Sequence, residues 1–343
     1  MAGTKVVTFG EIMLRLSTPG YQRFGQARQF DVNFGGGEAN VAVSLSQFGL
    51  EAYYVTRLPE NDVAEAAIGE LRRFGVHTDF ILRGGERMGI YFLETGASQR
   101  PSKVLYDRGH SAIAEIAPGM VKWKGVFSGA SWFHVTGITP ALSSSAAETT
   151  VEAVAFARQL GLKVSCDLNY RKKLWSREQA EKVMTKVMEH VDVAIANEED
   201  AEMVFGIKAG ESDVQAGKLD AAKYQSVGEQ LMKHFSSLKK VAITLRESIS
   251  ASDNNWSAVL WDGKRFFRSQ KYAVRVVDRV GGGDAFGAGL IFSLLTGKGD
   301  QEALDFAVAA SCLKHTIPGD FNCVSLTEVE SLMKEGGSGR VQR

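Results

Sequence analysis

The run Asp278-Arg279-Val280-Gly281-Gly282-Gly283-Asp284 holds the chain's most chemically suggestive residues. Three glycines precede an acid, and Ala285–Leu295 continues as an apolar, small-residue stretch closed by Gly297, the pattern of a helix. Glycines lack Cβ atoms, so backbone N–H groups of the turn can converge on an anion at the positive end of that helix. Asp284 falls in the first turn, within reach of whatever the amides hold. Two other glycine-rich chemistries fit poorly. A dinucleotide fingerprint needs G-x-G-x-x-G early in the chain, and Gly281, Gly283 and Gly287 miss that spacing near the C-terminus. A Walker A loop is absent. A tight packing turn remains a reading of the glycines alone.

Further candidates sit where strands end. Gly10-Glu11 follows KVVTF, Asp167-Leu168-Asn169-Tyr170-Arg171 follows KVSC, Asn197 follows VAIA, and Thr244 lies near the end of VAITL. Strands alternating with long helical stretches from Ser131 onward imply βαβ crossovers and a mostly parallel, helix-covered sheet, whose ligands bind at the carboxyl ends of the strands. Helices are expected over Ala64–Phe74, Ser144–Gly161, Glu178–His190 and Val227–Phe235, and SAVLWDGKRFFR reads as a hairpin. Met88–Leu93 and Lys103–Tyr106, rich in β-branched and aromatic residues, look like a small antiparallel excursion. The residues from Gly206 to Gln225 are polar, and the tail 336–343 (GGSGRVQR) reads as flexible.

Bulk properties narrow the classes. Forty basic and forty acidic residues cancel, so no net field argues for nucleic acid or a membrane surface. No apolar run approaches a signal or a membrane span, and a cytoplasmic location is expected. Cys166, Cys312 and Cys323 match no metal or redox spacing and are expected to be reduced packing residues. His134, His190, His234 and His315 show no ligand spacing and read as core or surface residues.

The turn resembles the D-T-x-G-A-G-D signature of the ribokinase-like (PfkB) carbohydrate kinases, and Gly35-Gly36-Gly37-Glu38-Ala39-Asn40-Val41-Ala42 resembles their N-terminal signature. The resemblance implies a ribokinase-like three-layer αβα sandwich over residues 1–335, with a mostly parallel sheet and a small β lid from about 12–34 and 87–110. It implies ATP and Mg²⁺ as cofactors, Asp284 as the general base, and the amides of Gly281, Gly282, Gly283 and Asp284 as an anion hole. Asn197-Glu198-Glu199-Asp200 resembles the family's N-x-x-E element, so Glu199 or Asp200 would place the metal through water; a solvated helix N-terminus is the competing reading. After VAITL the family has a Gly-x-x-Gly turn, whereas this chain has Arg246-Glu247-Ser248 and a polar stretch. The nucleotide loop is therefore expected to be bulkier, with Arg246 either on phosphate or simply on the surface.

Tyr91, Tyr106, Arg108, Arg171 and Asp320 look most like the 2-keto-3-deoxygluconate kinases, where the equivalents of Gly36, Tyr91, Tyr106, Arg108, Arg171, Asp284 and Asp320 line a sugar-acid pocket. Glu11, Gly37 and Asn40 are expected to join them, with Asn169, Arg171, Asn197, Thr244, Arg246, Gly281 and Gly283 toward the nucleotide. Guanidinium forks suit a substrate carboxylate. A fructokinase- or tagatose-type kinase, a catalytically silent binding regulator and an NAD-dependent oxidoreductase stay open as alternatives. Lid-to-lid packing into a homodimer is also implied.

Overall fold

Continuous apolar runs such as KVVTF and VAIA become central strands, because a parallel sheet covered by helices buries both strand faces. The computed structural model describes residues 5–208 and 223–336. Strand β1 (Lys5–Phe9) is followed by β2 (Met13–Ser17), β3 (Asp31–Gly35), α1 (Gly37–Gln47), β4 (Glu51–Leu58), α2 (Asp62–Arg73) and β5 (Ile81–Arg83). Strands β6 (Gly89–Glu94) and β7 (Lys103–Asp107) precede α3 (Trp123–Val126), β8 (Ala130–Thr136), α4 (Ser144–Gln159), β9 (Lys163–Asp167), α5 (Arg177–Met188), β10 (Val193–Ala196) and α6 (Asp200–Phe205). The chain continues with α7 (Lys223–His234), β11 (Lys240–Ser248), β12 (Asp253–Trp261), β13 (Phe266–Arg268), β14 (Tyr272–Arg275), α8 (Gly282–Leu295), α9 (Asp300–Lys314) and α10 (Leu326–Glu335).

The large sheet runs β13-β12-β11-β10-β9-β8-β1-β4-β5, parallel from β11 to β5 and antiparallel beyond β11. One apolar layer joins α1, α2, α8, α9 and α10 to one face, with Phe48, Phe292 and Phe306 in mutual ring contact. The other joins α3 to α7 around Phe9, Trp123, Phe127 and Phe133. The result is a three-layer αβα sandwich. Several helices start at side-chain caps: Asn61 and Ser143 accept the N–H groups of Ala64 and Ala146, and Ser176 and Ser325 form capping boxes with Gln179 and Glu328.

Strands β3, β2, β6 and β7 form a separate four-stranded sheet over one end of the large one. The expected antiparallel pairing of the 88–93 and 103–106 segments is found in β6 and β7, and β2 and β3 also pair antiparallel, but β2 and β6 between them pair in parallel. The chain leaves this sheet after β3, makes α1, β4, α2 and β5, and re-enters in the same direction, which a simple hairpin excursion cannot do. One correction concerns the segment after Leu245. Instead of looping, β11 runs on through Ser248, pairing Arg246 with Trp256 and Ser248 with Asn254. The tip of that hairpin reaches the lid, where the Ala251 N–H donates to the Ser98 carbonyl at 2.7 Å.

No helix among the described residues is long and apolar enough to cross a membrane. Cys166 and Cys312 are buried free thiols, whereas Cys323, expected in packing, is exposed on the segment before α10. The expected tail beyond Gly336, and residues 209–222 of the expected polar segment, lie outside the described residues.

Candidate active site

A cleft of about 340 Å³ opens where β1, β9, β10 and β11 end beneath the lid sheet, a size suited to a small ligand. Glu11, Gly36, Gly37, Asn40, Tyr91, Tyr106, Arg108, Asn169, Arg171, Asn197, Asp200, Thr244, Arg246, Gly281, Gly283, Asp284 and Asp320 all line it. Gly282 and Glu199 do not. His315 lines it as well, contrary to the core or surface role expected from spacing, and packs against Trp256 with ring centroids 4.9 Å apart.

The glycine turn is the cleft's floor. Gly281 precedes α8 with φ 83°, a left-handed conformation that glycine adopts without steric cost. No side chain caps this helix. The amides of Gly281, Gly283 and Asp284 find no acceptor among the described residues, but that of Gly282 turns back to the Arg279 carbonyl at 3.3 Å. Gly282 is thus engaged in the turn itself and packs against His315, which removes it from the expected set of anion donors. Three convergent, unengaged N–H groups at a helix N-terminus make an anion site.

Asp284 lies beside them in the first turn. Burial pushes its carboxyl up to about 6, opposed by the hydrogen bond from Asn40 and by the nearby Arg171. The Asn40 Nδ2 donates to Asp284 Oδ2 at 2.6 Å. Asn40 is held in place by its own helix. Glu38, in the first turn of α1, accepts the Thr136 N–H at 2.9 Å and the Thr139 hydroxyl at 3.0 Å, tying α1 to the end of β8. Burial raises the Glu38 carboxyl to about 7. Just before it, Gly36 approaches the chain so closely that a Cβ would sit 1.8 Å from the Glu11 carbonyl oxygen, so no larger residue fits.

The lid side carries two buried charge clusters. Arg108 pairs with Glu11, whose carboxyl burial raises against the pull of that guanidinium. The Arg108 guanidinium also lies 5.2 Å from the Tyr106 ring centroid, and its Nε–H has no acceptor. In the second cluster Arg15 bridges Asp278 and Asp320, at 2.7 Å in the latter case, and Tyr91 donates its hydroxyl to Asp320. Arg15 was not anticipated. A lone arginine in a short strand gives no local signal, and only the approach of β2 to the 318–321 segment reveals its partners.

At the opposite wall, Asp200 accepts the N–H groups of Asn197 at 2.9 Å and Tyr170 at 3.1 Å, clamping the ends of β9 and β10 together. Asn169 takes φ 39° in that joint, a region asparagine tolerates. Glu199 only begins α6; the neighbouring Glu198 faces the cleft instead, 4.0 Å from Arg246. Asp167 is held well above the ordinary carboxylate range by burial, then by Asp200 and Asp284. The described residues contain no cluster of three or more His, Cys, Asp or Glu able to hold a metal. The buried carboxylates of Asp167, Glu198 and Asp200, only partly offset by Arg171 and Arg246, nevertheless fit a site where a divalent cation would be held with the help of phosphate and water. Arg246, Arg279 and Arg171 line the same stretch, a cationic track for an anionic ligand.

A family model described as pfkB family carbohydrate kinase matches residues 3–326. A 2-dehydro-3-deoxygalactonokinase of Haloferax volcanii is 32% identical over 335 residues, covering 98% of each chain. The crystal structure of a 2-dehydro-3-deoxygluconokinase from Thermotoga maritima superposes with a TM-score of 0.92 at 52% identity, over 96% of this chain and 99% of that one. A fructokinase with bound ATP from Xylella fastidiosa, 21% identical and covering 98% of this chain and 99% of that one, shares the fold at a TM-score of 0.77.

Proposed function

This chain belongs to the pfkB family of carbohydrate kinases, and we propose that it moves the γ-phosphoryl group of ATP to the C6 hydroxyl of 2-keto-3-deoxy-D-gluconate, also called 2-dehydro-3-deoxygluconate. The observation that carries the chemistry is Asp284, a carboxyl titrating at about 6 beside the three unengaged amides of an uncapped helix. At neutral pH it is ionised yet still basic enough to take a proton.

The sugar acid sits between the lid and the turn. Arg108, with its free Nε–H, and the Tyr91 and Tyr106 rings favour a substrate with a carboxylate and an apolar edge. Asp284 receives the proton of the C6 hydroxyl as that oxygen bonds to phosphorus and the bond to the β-phosphate oxygen breaks, releasing ADP. The Gly281, Gly283 and Asp284 amides take the charge on the equatorial phosphoryl oxygens. Arg171, Arg246 and Arg279 receive the nucleotide phosphates, and Thr244 and Asn197 shape the wall beside them. Asp167, Glu198 and Asp200 would hold Mg²⁺ through water, and the chemistry it would supply is neutralisation of the phosphate charge. Arginines suit this arrangement because they stay charged at any working pH. The lid excludes water, which suppresses ATP hydrolysis.

A coupled ADP-release assay tests the substrate. The panel comprises 2-keto-3-deoxygluconate, its C4 epimer 2-keto-3-deoxygalactonate, fructose and tagatose. Turnover is expected with the keto acid; turnover restricted to neutral ketohexoses would overturn the assignment.

A further inference from the structure

Lys314, in the last turn of α9, has no exposed surface, although lysine is rarely buried without a partner. Its ammonium donates to the Ile317 carbonyl at 3.2 Å and makes no ion pair among those found in the described residues. A lysine that merely complements a helix C-terminus lies at the surface, where its charge stays hydrated. Enclosed with one carbonyl contact, an ammonium needs compensation from charges beyond hydrogen-bond range.

Those charges belong to the site. Burial lowers the Lys314 ammonium's pKa most; Asp278 and Asp320 work against it, helped more weakly by Asp284, while Arg15 adds to the lowering. The placement is behind the glycine turn: a Cβ on Gly281 would fall 3.2 Å from Lys314 Cε and 2.1 Å from the Asp320 carbonyl oxygen. The lysine stem therefore forms the back wall of the turn whose front presents the free amides. Without Lys314, Asp278, Asp320 and Asp284 would keep Arg15, Arg171 and Arg279 around them but lose the cation enclosed behind the turn. A turn that loses its backing charge holds an approaching phosphoryl group less well.

We propose that Lys314 is a positioning residue for phosphoryl transfer, its enclosed charge offsetting Asp278 and Asp320 and fixing the Gly281–Asp284 turn to receive an anion. The inference rests on the kinase reading above. Its effect falls on the transition state, where the phosphoryl charge lies closest to the turn, and therefore on kcat more than on the KM of the sugar.

The test compares wild type with Lys314→Met and Lys314→Ala in ADP release from ATP and the keto acid, alongside thermal melting. Lys314→Met keeps the stem and removes the charge; kcat is expected to fall at least about tenfold with sugar KM little changed. Lys314→Ala leaves room for propylammonium, which should restore kcat several-fold without a matching rise in melting temperature. A Lys314→Met kcat within about twofold of wild type would overturn the inference, as would propylammonium raising Tm alone. Failure of both variants to fold would assign Lys314 to stability and equally overturn it. Absence of turnover in wild type would instead sink the kinase reading itself.

Discussion

Asn40 and Asp284, 244 residues apart in the chain, share a hydrogen bond of 2.6 Å that joins the first turns of α1 and α8. The contact favours the ionised carboxylate against the burial that disfavours it. The two glycine-rich segments are thereby coupled, the first tuning the carboxylate that the second presents.

Loss of the Asp284 carboxylate separates catalysis from stability. Asp284→Asn is expected to lower kcat by at least about 10²-fold, the usual scale for a positioned proton acceptor. The same change should raise stability at neutral pH. A carboxyl whose folded pKa lies above its unfolded value contributes stability that is fully present below about 4 and is lost as pH rises through about 6. Asparagine carries no such loss, so the variant should melt higher than wild type at pH 7.5, and the gap should close as pH falls toward 4. Thermal melts across that range check the sign.

Asn40 sets the pH dependence of the reaction. In wild type the acid limb of kcat/KM should fall below about pH 6, as Asp284 takes up a proton. Asn40→Ala removes the hydrogen bond that favours the carboxylate, so that limb should move to higher pH. A profile unchanged in position would show that Asn40 does not tune the base.

The Glu11–Arg108 pair is buried, so breaking it from one side strands a charge. Arg108→Met should destabilise the fold by about 3–5 kcal/mol and raise the KM for the keto acid but not for ATP. Adding Glu11→Gln should recover much of the stability and none of the substrate affinity. Urea denaturation and steady-state kinetics on the single and double variants measure the two effects separately.

Glu198, rather than Glu199, faces the cleft, and this predicts which acid matters for the metal. Glu198→Gln should raise the Mg²⁺ concentration for half-maximal activity by about tenfold, in keeping with outer-shell partners. Glu199→Gln should leave it unchanged. A Mg²⁺ titration at saturating substrate distinguishes them.

The amino-acid sequence by itself determined the features that repeat over short distances. The central strands follow from uninterrupted apolar runs, the spans of α2, α4 and α5 from their apolar periodicity, and the turn before α8 from glycines next to Asp284. These depend on a residue and its near neighbours, so they are legible along the chain. Only the tertiary structure decided the parallel pairing of β2 with β6, because register between strands separated by five other elements is fixed by closure of the whole chain. It also decided that the Gly282 amide is spent within the turn, that Glu198 rather than Glu199 looks inward, and that Arg15, Glu38 and Lys314 surround the site. A buried charge is defined by partners brought together from distant segments, and no local pattern records them.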